Sequence, residues 1–554
     1  MNKHLLALAA GVAACALSTV AFAADNKAVV DQSSTSAANS LDVNQSGSGN
    51  NAGFSGTVST SWDQVYALHQ KGGGNDLTVK QSGDNNVVGS EPSKLQAGRS
   101  LQEGTNNTLR IDQSGNRNAV TYNQTGANNG RIDAQNGGNG ANGLSPYAGG
   151  ASASNNGGGN AYGSVSPTGL WNYISQSGND AKMNLTQTQT GTGGANGVLS
   201  FQNGNGTISL NQTTNNGGGR NFGYFAQYGS DSTATVTQTN TGGGTGANAN
   251  VADIRQADSN GRANNVSVTA TQTGSNLDLY VNQTGSYNTV DSRQSSTGNT
   301  AIAFQNGTGR AGESNLISNT QSGSGNYAIM TQLRDFGNTI YNNQATNNTA
   351  VLTQSGDRNF MYNHQLGSNN NSDITQTGTS NFVHSDQYFG SGNTATLSQS
   401  GTSNEIGSYQ NGNGSRAIMV QVGDRNIISS SQGDSSRIDA TQLGNRNAIY
   451  STQGTLSVAN LYQSGNDNRI DNSNGSYNSL TVSQVGSSNR AEYQGFGTQG
   501  VALINQTGDH NYGFIQQRGD VAQTASIYQG STNNSAIIFQ ASGAGNTSVI
   551  RQNR

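Results

Sequence analysis

Glutamine recurs in this chain at an almost fixed interval. From Gln344 it falls at 354, 365, 376, 387, 399, 410, 421, 432, 442, 453 and 463, and after Asn474 at 484, 494, 506, 517, 529, 540 and 552. Each step is ten to twelve residues. The same register holds at Gln272, Gln283, Gln294 and Gln305, and at Gln102, Gln113 and Gln124, and is looser between those two stretches. A fixed period over hundreds of residues means a stacked array, in which no unit buries its own face and neighbouring units supply the core.

One unit reads "QSGNRNAVTYNQ" (113–124). In a strand of period two, Asn118, Val120, Tyr122 and Gln124 share a face. That face returns as Asn326, Ala328, Met330 and Gln332, as Asn426, Ile428, Ser430 and Gln432, and as Asn447, Ile449, Ser451 and Gln453. The segment between is a turn, marked by Gly115, Gly323, Gly356, Gly423 and Gly444, because glycine accepts positive φ and Asn, Asp and Ser bond locally to the backbone. Glycine and asparagine every few residues, with no 3.6-residue apolar stripe, exclude helix.

Two strand-turn units make a coil of about 22 residues. The fold class expected is therefore all-β: a β-solenoid with two strands per coil, its coils paired strand over strand at roughly 4.8 Å in cross-β fashion. Gln would then stand on Gln and Asn on Asn, each amide donating to one neighbour and accepting from the other. The expected ladder residues are Gln113, Asn118, Gln124, Gln321, Asn326, Gln332, Gln354, Asn359, Gln365, Gln421, Asn426, Gln432, Gln442, Asn447 and Gln453. An unpartnered buried amide costs roughly 1–3 kcal/mol, so such ladders fix register.

Composition narrows the function. Of 554 residues 31% are hydrophobic and 10% charged, with 77 glycines against 3 prolines, so an ordinary globular core is excluded, yet the charge and proline of a disordered chain are missing. A formal charge of −4 gives no basic footprint for nucleic acid, and no segment after the N-terminus is long and apolar enough for membrane insertion. Residues 1–23 read as a secretory signal peptide: Lys3, an apolar run from Leu5 to Val20, and "AFA" at 21–23. "VAAC" (12–15) could be a lipoprotein box, but the residues after Cys15 stay apolar. Cleavage after Ala23 removes the single cysteine, so an exported chain must cohere without disulfides.

The pattern Q-x-G-x-x-N-x-A followed by another glutamine, as in "QSGSGNYAIMTQ" (321–332) and "QSGNRNAVTYNQ", resembles the curlin repeat of bacterial curli subunits. The resemblance spans most of residues 64–552, is best from about 256 onward, and marks an unusually long member. It implies an amyloid-like solenoid, secreted to the extracellular side through an outer-membrane pore. Polymerisation there, by self-association or with other curlin-like subunits, would give pilus-like cell-surface fibres that mediate adhesion within a biofilm matrix.

Domain organisation follows from interruptions. After the signal peptide come a weakly patterned N-terminal leader (24–63), which the resemblance makes a candidate export signal, and curlin-like repeats (64–129). A Gly/Asn-rich stretch (130–170) holding Pro146 and Pro167 reads as a flexible insertion. Irregular repeats (171–255) and regular repeats (256–554) complete the chain.

Candidate chemical sites are sparse. His69, His364, His384 and His510 show no metal-ligand spacing and read as solvent-facing or turn residues. Asp357, Asp424 and Asp509 share a turn position, but several coils apart and without the glycine-rich nonapeptide of calcium-binding repeats they read as solubilising charge. "RGD" (518–520) contains the repeat's own turn glycine. No catalytic set, metal site or cofactor site can be assembled, so an enzyme is not expected. Two functions stay open: a fibre subunit, and a monomeric surface adhesin or nucleator of another fibre. The last segment, "GAGNTSVIRQNR" (543–554), keeps the strand pattern, with Asn546, Ser548, Ile550 and Gln552 as an inward face and assembly edge.

Overall fold

The computed structural model describes residues 26–28, 30–34, 37–52, 68–82, 87–88, 101–114, 119–127, 132–137, 172–189, 195–214, 220–242, 249–257, 263–309, 311–334, 336–541 and 545–553. The signal peptide, Gly115 and Asn118 lie outside them. Among the described residues there is no helix, hence none long and apolar enough to cross a membrane. The chain divides into two units, 1–286 and 287–554.

In the second unit, strands from Asn288–Thr297 to Thr547–Gln552 alternate between two parallel sheets. Sheet A contains Thr394–Thr402, Arg416–Val422, Arg437–Leu443 and Val458–Ser464. Sheet B contains Glu405–Gln410, Ile427–Gln432, Ala448–Gln453 and Arg469–Asn474. Every second residue points inward. In Arg416–Val422 the residues Ala417, Met419 and Gln421 are buried while Ile418 and Val420 are half-exposed. Pairing is residue on equivalent residue, Gln421 on Gln442 and Gln442 on Gln463. Over these strands the apolar core is two narrow columns in sheet A, such as those of Ala417 and Met419, and one in sheet B, Ile406, Ile428, Ile449 and Ile470.

The first unit is built alike, and it corrects the boundaries expected from sequence. Within the leader (24–63), Val30–Ser34 pairs with Leu68–Gly73 and Ser40–Ser46 with Asp76–Ser82, setting Gln32 on Gln70 and Gln45 on Gln81. The repeats therefore begin before residue 64. Within the insertion (130–170), Ile132–Gly137 is a strand between Thr108–Ser114 and Lys182–Gln189, and Asn136 holds the register of Gln113 and Gln187. A reading that followed glutamine lost this strand because asparagine stands in its column. The rest of the insertion after Gly137 lies outside the described residues. The coils on either side of it stack directly, Val120 on Asn172 and Gln124 on Gln176. In the strands described between Asn172 and Gln256 the glutamines keep one column despite their uneven spacing, Gln176 on Gln202, Gln202 on Gln227 and Gln227 on Gln256.

Candidate functional site

The side chains that could carry function are the buried amides, and their bonding is more specific than stacking alone requires. Along sheet A each glutamine Nε2 donates to the Oε1 of the next coil. Gln399 to Gln421, Gln421 to Gln442, Gln442 to Gln463 and Gln463 to Gln484 are all 2.8 Å. The same series takes in Gln332 to Gln354 at 3.1 Å and Gln354 to Gln376 at 2.8 Å. In sheet B, Gln321 donates to Gln344, Gln344 to Gln365 and Gln365 to Gln387. In the first unit Gln124 is buried and donates to Gln176 at 2.9 Å. Gln113 holds the register of Gln81 in the neighbouring strand.

Nε2 carries a second hydrogen, and it crosses the core. Gln421 donates to the carbonyl of Glu405, Gln442 to that of Ile427 and Gln463 to that of Ala448, at 2.9 to 3.1 Å, each at the start of a sheet B strand. One amide thus ties a coil both to its neighbour and to its own other half. Backbone carbonyls leave no mark in a sequence, so only the ladder half of this arrangement was legible there.

The asparagines do a different task from the one expected. Asn447 Oδ1 accepts the backbone N–H of Asn468 at 3.1 Å, and its Nδ2 donates to Gly465 O at 2.8 Å. Asn359 serves Asn381 and Gly378 in the same way, and Asn426 serves Asn447 and Gly444. Asn326 Oδ1 accepts the N–H of Asn348. These residues chiefly clamp turn backbone, and amide-to-amide contacts such as Asn447 Nδ2 to Asn426 Oδ1 at 3.2 Å are additional.

The turn glycines sit where a side chain has no room. At Gly444 φ is +107°, and a Cβ would run into the carbonyl oxygen of Gly465. Gly423 meets Gly444, and Gly356 meets Gly378, in the same way. Gly323 does not have positive φ; its Cβ would strike Ala345 O, so close approach alone excludes a side chain there. A second positive-φ position in these turns belongs to the residue before asparagine, such as Arg425 at +57° and Arg446 at +55°.

Turn acids are also bonded rather than merely solubilising. Asp424 Oδ1 accepts the Thr402 N–H at 2.9 Å and Asp509 Oδ1 accepts the Ser487 N–H at 2.7 Å. Arg446 donates twice to Asp467, at 2.6 and 2.7 Å, and those hydrogen bonds hold the carboxyl below its usual range.

The glutamine series has one misplacement and one break. At Gln494 the side chain faces outward and Gly495 holds the ladder position over Asn474. Buried Tyr493 takes over: its hydroxyl donates to Gln517 Oε1 at 2.9 Å, and burial pushes its pKa up. Upstream, Gln410 Nε2 donates to Thr394 O and Ser415 O, and Gln432 Nε2 to Arg416 O and Ser436 O. The buried Oε1 atoms of Gln432 and Gln453 have no hydrogen-bond partner. Replacing Gln432 by Met should therefore cost less than replacing Gln421 by Met, by about 1–2 kcal/mol, because only the latter leaves ladder partners unmet. Denaturant midpoints of the two variants measure the difference, and equal losses would refute the broken ladder.

His364 and His384 also differ from expectation. Both lie on the outer face of sheet B beside Asp386, His364 Nδ1 at 3.5 Å and His384 Nε2 at 3.1 Å from its carboxylate, and the Tyr409 hydroxyl is 3.4 Å from His384 Nδ1. His364 and Asp386 are 22 residues apart, one coil, hence contact, and His384 and Asp386 are two apart on one strand face; those spacings were the missed signal. Among the described residues no group of three or more His, Cys, Asp or Glu is arranged to hold a metal ion, this trio included.

Asn546, Ser548, Ile550 and Gln552 continue the inward register, over Ala525, Ile527 and Gln529 for the last three, and are half-exposed. Gln552 Oε1 accepts from Gln529 at 2.9 Å. Among the described residues Thr547–Gln552 pairs on one side only.

The family model of the curlin associated repeat matches residues 37–83, 217–239, 345–378, 367–401 and 390–423. A search of curated proteins gives no match. The matched stretches include Gln70 and Gln81 in the first unit and Gln354, Gln365, Gln376, Gln387, Gln399, Gln410 and Gln421 in the second. Those are the columns just described, and over these stretches the chain carries curlin associated repeats.

Proposed function

We propose that this chain is a secreted structural subunit that assembles into curli-like amyloid fibres of the bacterial cell surface and biofilm matrix, without catalysis. The observation that carries the reading is the ladder's direction. Glutamine Nε2 donates forward along the chain at every intact step, so opposite ends of a stack present opposite halves of the amide. Copies meeting head to tail would extend the same bonds, and a heterologous contact of that kind gives filaments rather than closed rings.

The test follows growth after dilution of the chain from Ala24 onward out of denaturant. Expected are a lag phase, thioflavin fluorescence and fibre reflections near 4.8 Å. A stable, soluble monomer would replace this reading by the adhesin one. The edge can be probed separately. In Thr547–Gln552 the backbone of Asn546 and Gln552 faces the preceding strand, so by strand alternation the N–H groups of Val549 and Arg551 face away from it. Val549→Pro with Arg551→Pro should leave the monomer folded and slow elongation at least tenfold, since proline removes those donors. Wild-type growth would show that this edge is not the growth surface.

A further inference from the structure

Sheet B carries a third inward column between its apolar residues and its glutamines. It begins as an asparagine ladder, Asn363 Nδ2 donating to Asn342 and Asn342 to Asn319, both at 2.8 Å. The next four coils substitute serine: Ser385 stacks on Asn363, followed by Ser408, Ser430 and Ser451, before Asn472 closes the run. All five are buried, at most 5% exposed. Yet Asn363 Oδ1 and the hydroxyls of Ser385, Ser408 and Ser430 have no hydrogen-bond partner. The glutamine ladder beside this column is intact through Gln387 to Gln410 and broken from there on, leaving Gln432 Oε1, Gln453 Oε1 and Asn474 Oδ1 equally unmet, with Asn472 Oδ1 at the far end.

Buried polar atoms are nearly always bonded, and here eight unmet ones fall in two adjacent columns of neighbouring coils rather than being scattered. We propose that a single file of water molecules threads the interior of the solenoid from Asn363 to Asn474. Exchanging asparagine for serine removes two heavy atoms per coil, about the room one water needs. Stacked serine hydroxyls lie roughly 4.8 Å apart, the strand spacing, too far to bond each other. A water making two bonds of about 2.8 Å bridges that gap with a bend. Gln432 and Gln453 supply acceptors from the side, so each water finds the two to four partners that hold a buried site. Asn342 and Asn319, bonded to each other, exclude it. The file is independent of whether copies of the chain assemble.

Water-edited magnetic resonance on the full chain tests this, with serine, isoleucine and glutamine carbons labelled; Gln432 should also receive magnetisation fast in the unaltered chain. Ser408 and Ser430 should receive magnetisation from water several-fold faster than Ile406 and Ile428 on the same strands. Transfer no faster than to those isoleucines overturns the proposal. The combined variant Ser385→Asn, Ser408→Asn, Ser430→Asn and Ser451→Asn should complete the asparagine ladder, abolish the fast transfer at Gln432 and raise the unfolding midpoint. Retention of fast transfer in that variant also overturns it. Should the variant fail to fold, the wild-type transfer rates decide alone.

Discussion

Gly444→Ala should destabilise the second unit by about 4 kcal/mol or more, among the largest effects of any single methyl group in this chain. Two penalties add. At a φ of +107° an L residue is strained, and its Cβ would collide with the carbonyl of Gly465 in the adjoining coil. That carbonyl is held by Asn447 Nδ2 at 2.8 Å, so moving it breaks the turn clamp as well. Gly414→Ala is the comparison: φ is +65°, close to what Arg425 and Arg446 adopt, and the nearest atom to a Cβ is Ser435 Oγ at 3.7 Å. It should cost about 1–2 kcal/mol. Amide hydrogen exchange across Arg416–Val422, Arg437–Leu443 and Val458–Ser464 reads both, and equal protection in the two variants would count against close coil approach as the reason for glycine.

Replacing Gln421, Gln442 and Gln463 together by alanine should be worse still. Each loss orphans a carbonyl in sheet B, and the outer two also strand Gln399 Nε2 and Gln484 Oε1. At about 1–3 kcal/mol per buried unmet group, before any cavity contribution, the total exceeds about 5 kcal/mol. Solenoid stability is a sum of coil and interface terms, so the stack should part there, with exchange protection lost on both sheets. Val420→Thr with Thr441→Ser, on the outer face of the same strands, should leave protection nearly unchanged. If the two sets behaved alike, the amides would not be what joins the coils.

Much of this was open to reading because the period of glutamine is also the period of the structure: Gln421 and Gln442 are ladder neighbours for the reason that they are one coil apart. The same period misled where the marker residue changed. Asn136 in Ile132–Gly137 keeps the spacing, twelve residues after Gln124, but is not glutamine, while Gln45 in Ser40–Ser46 is glutamine but falls thirteen residues after Gln32. Gln494 kept the spacing but not the face, since a one-residue slip turns a side chain outward. The bonds of Gln421, Gln442 and Gln463 to sheet B carbonyls depend on which backbone the other half of the coil presents. They become visible only once the stack is built.

The direct hand-over from Gln124 to Gln176 has a consequence for how such a chain can change. Closing a longer loop costs only about 0.6 kcal/mol for each doubling of its length, whereas slipping a strand by one residue would turn every amide in it out of its column. A change in the length of a connection between coils is thus nearly neutral, whereas a change of register in the strands is heavily penalised. A lineage could lengthen or exchange the segment between Gly137 and Asn172 while Gln124 still stood on Gln176, so that the content of the insert and the architecture of the stack would be inherited as separate traits.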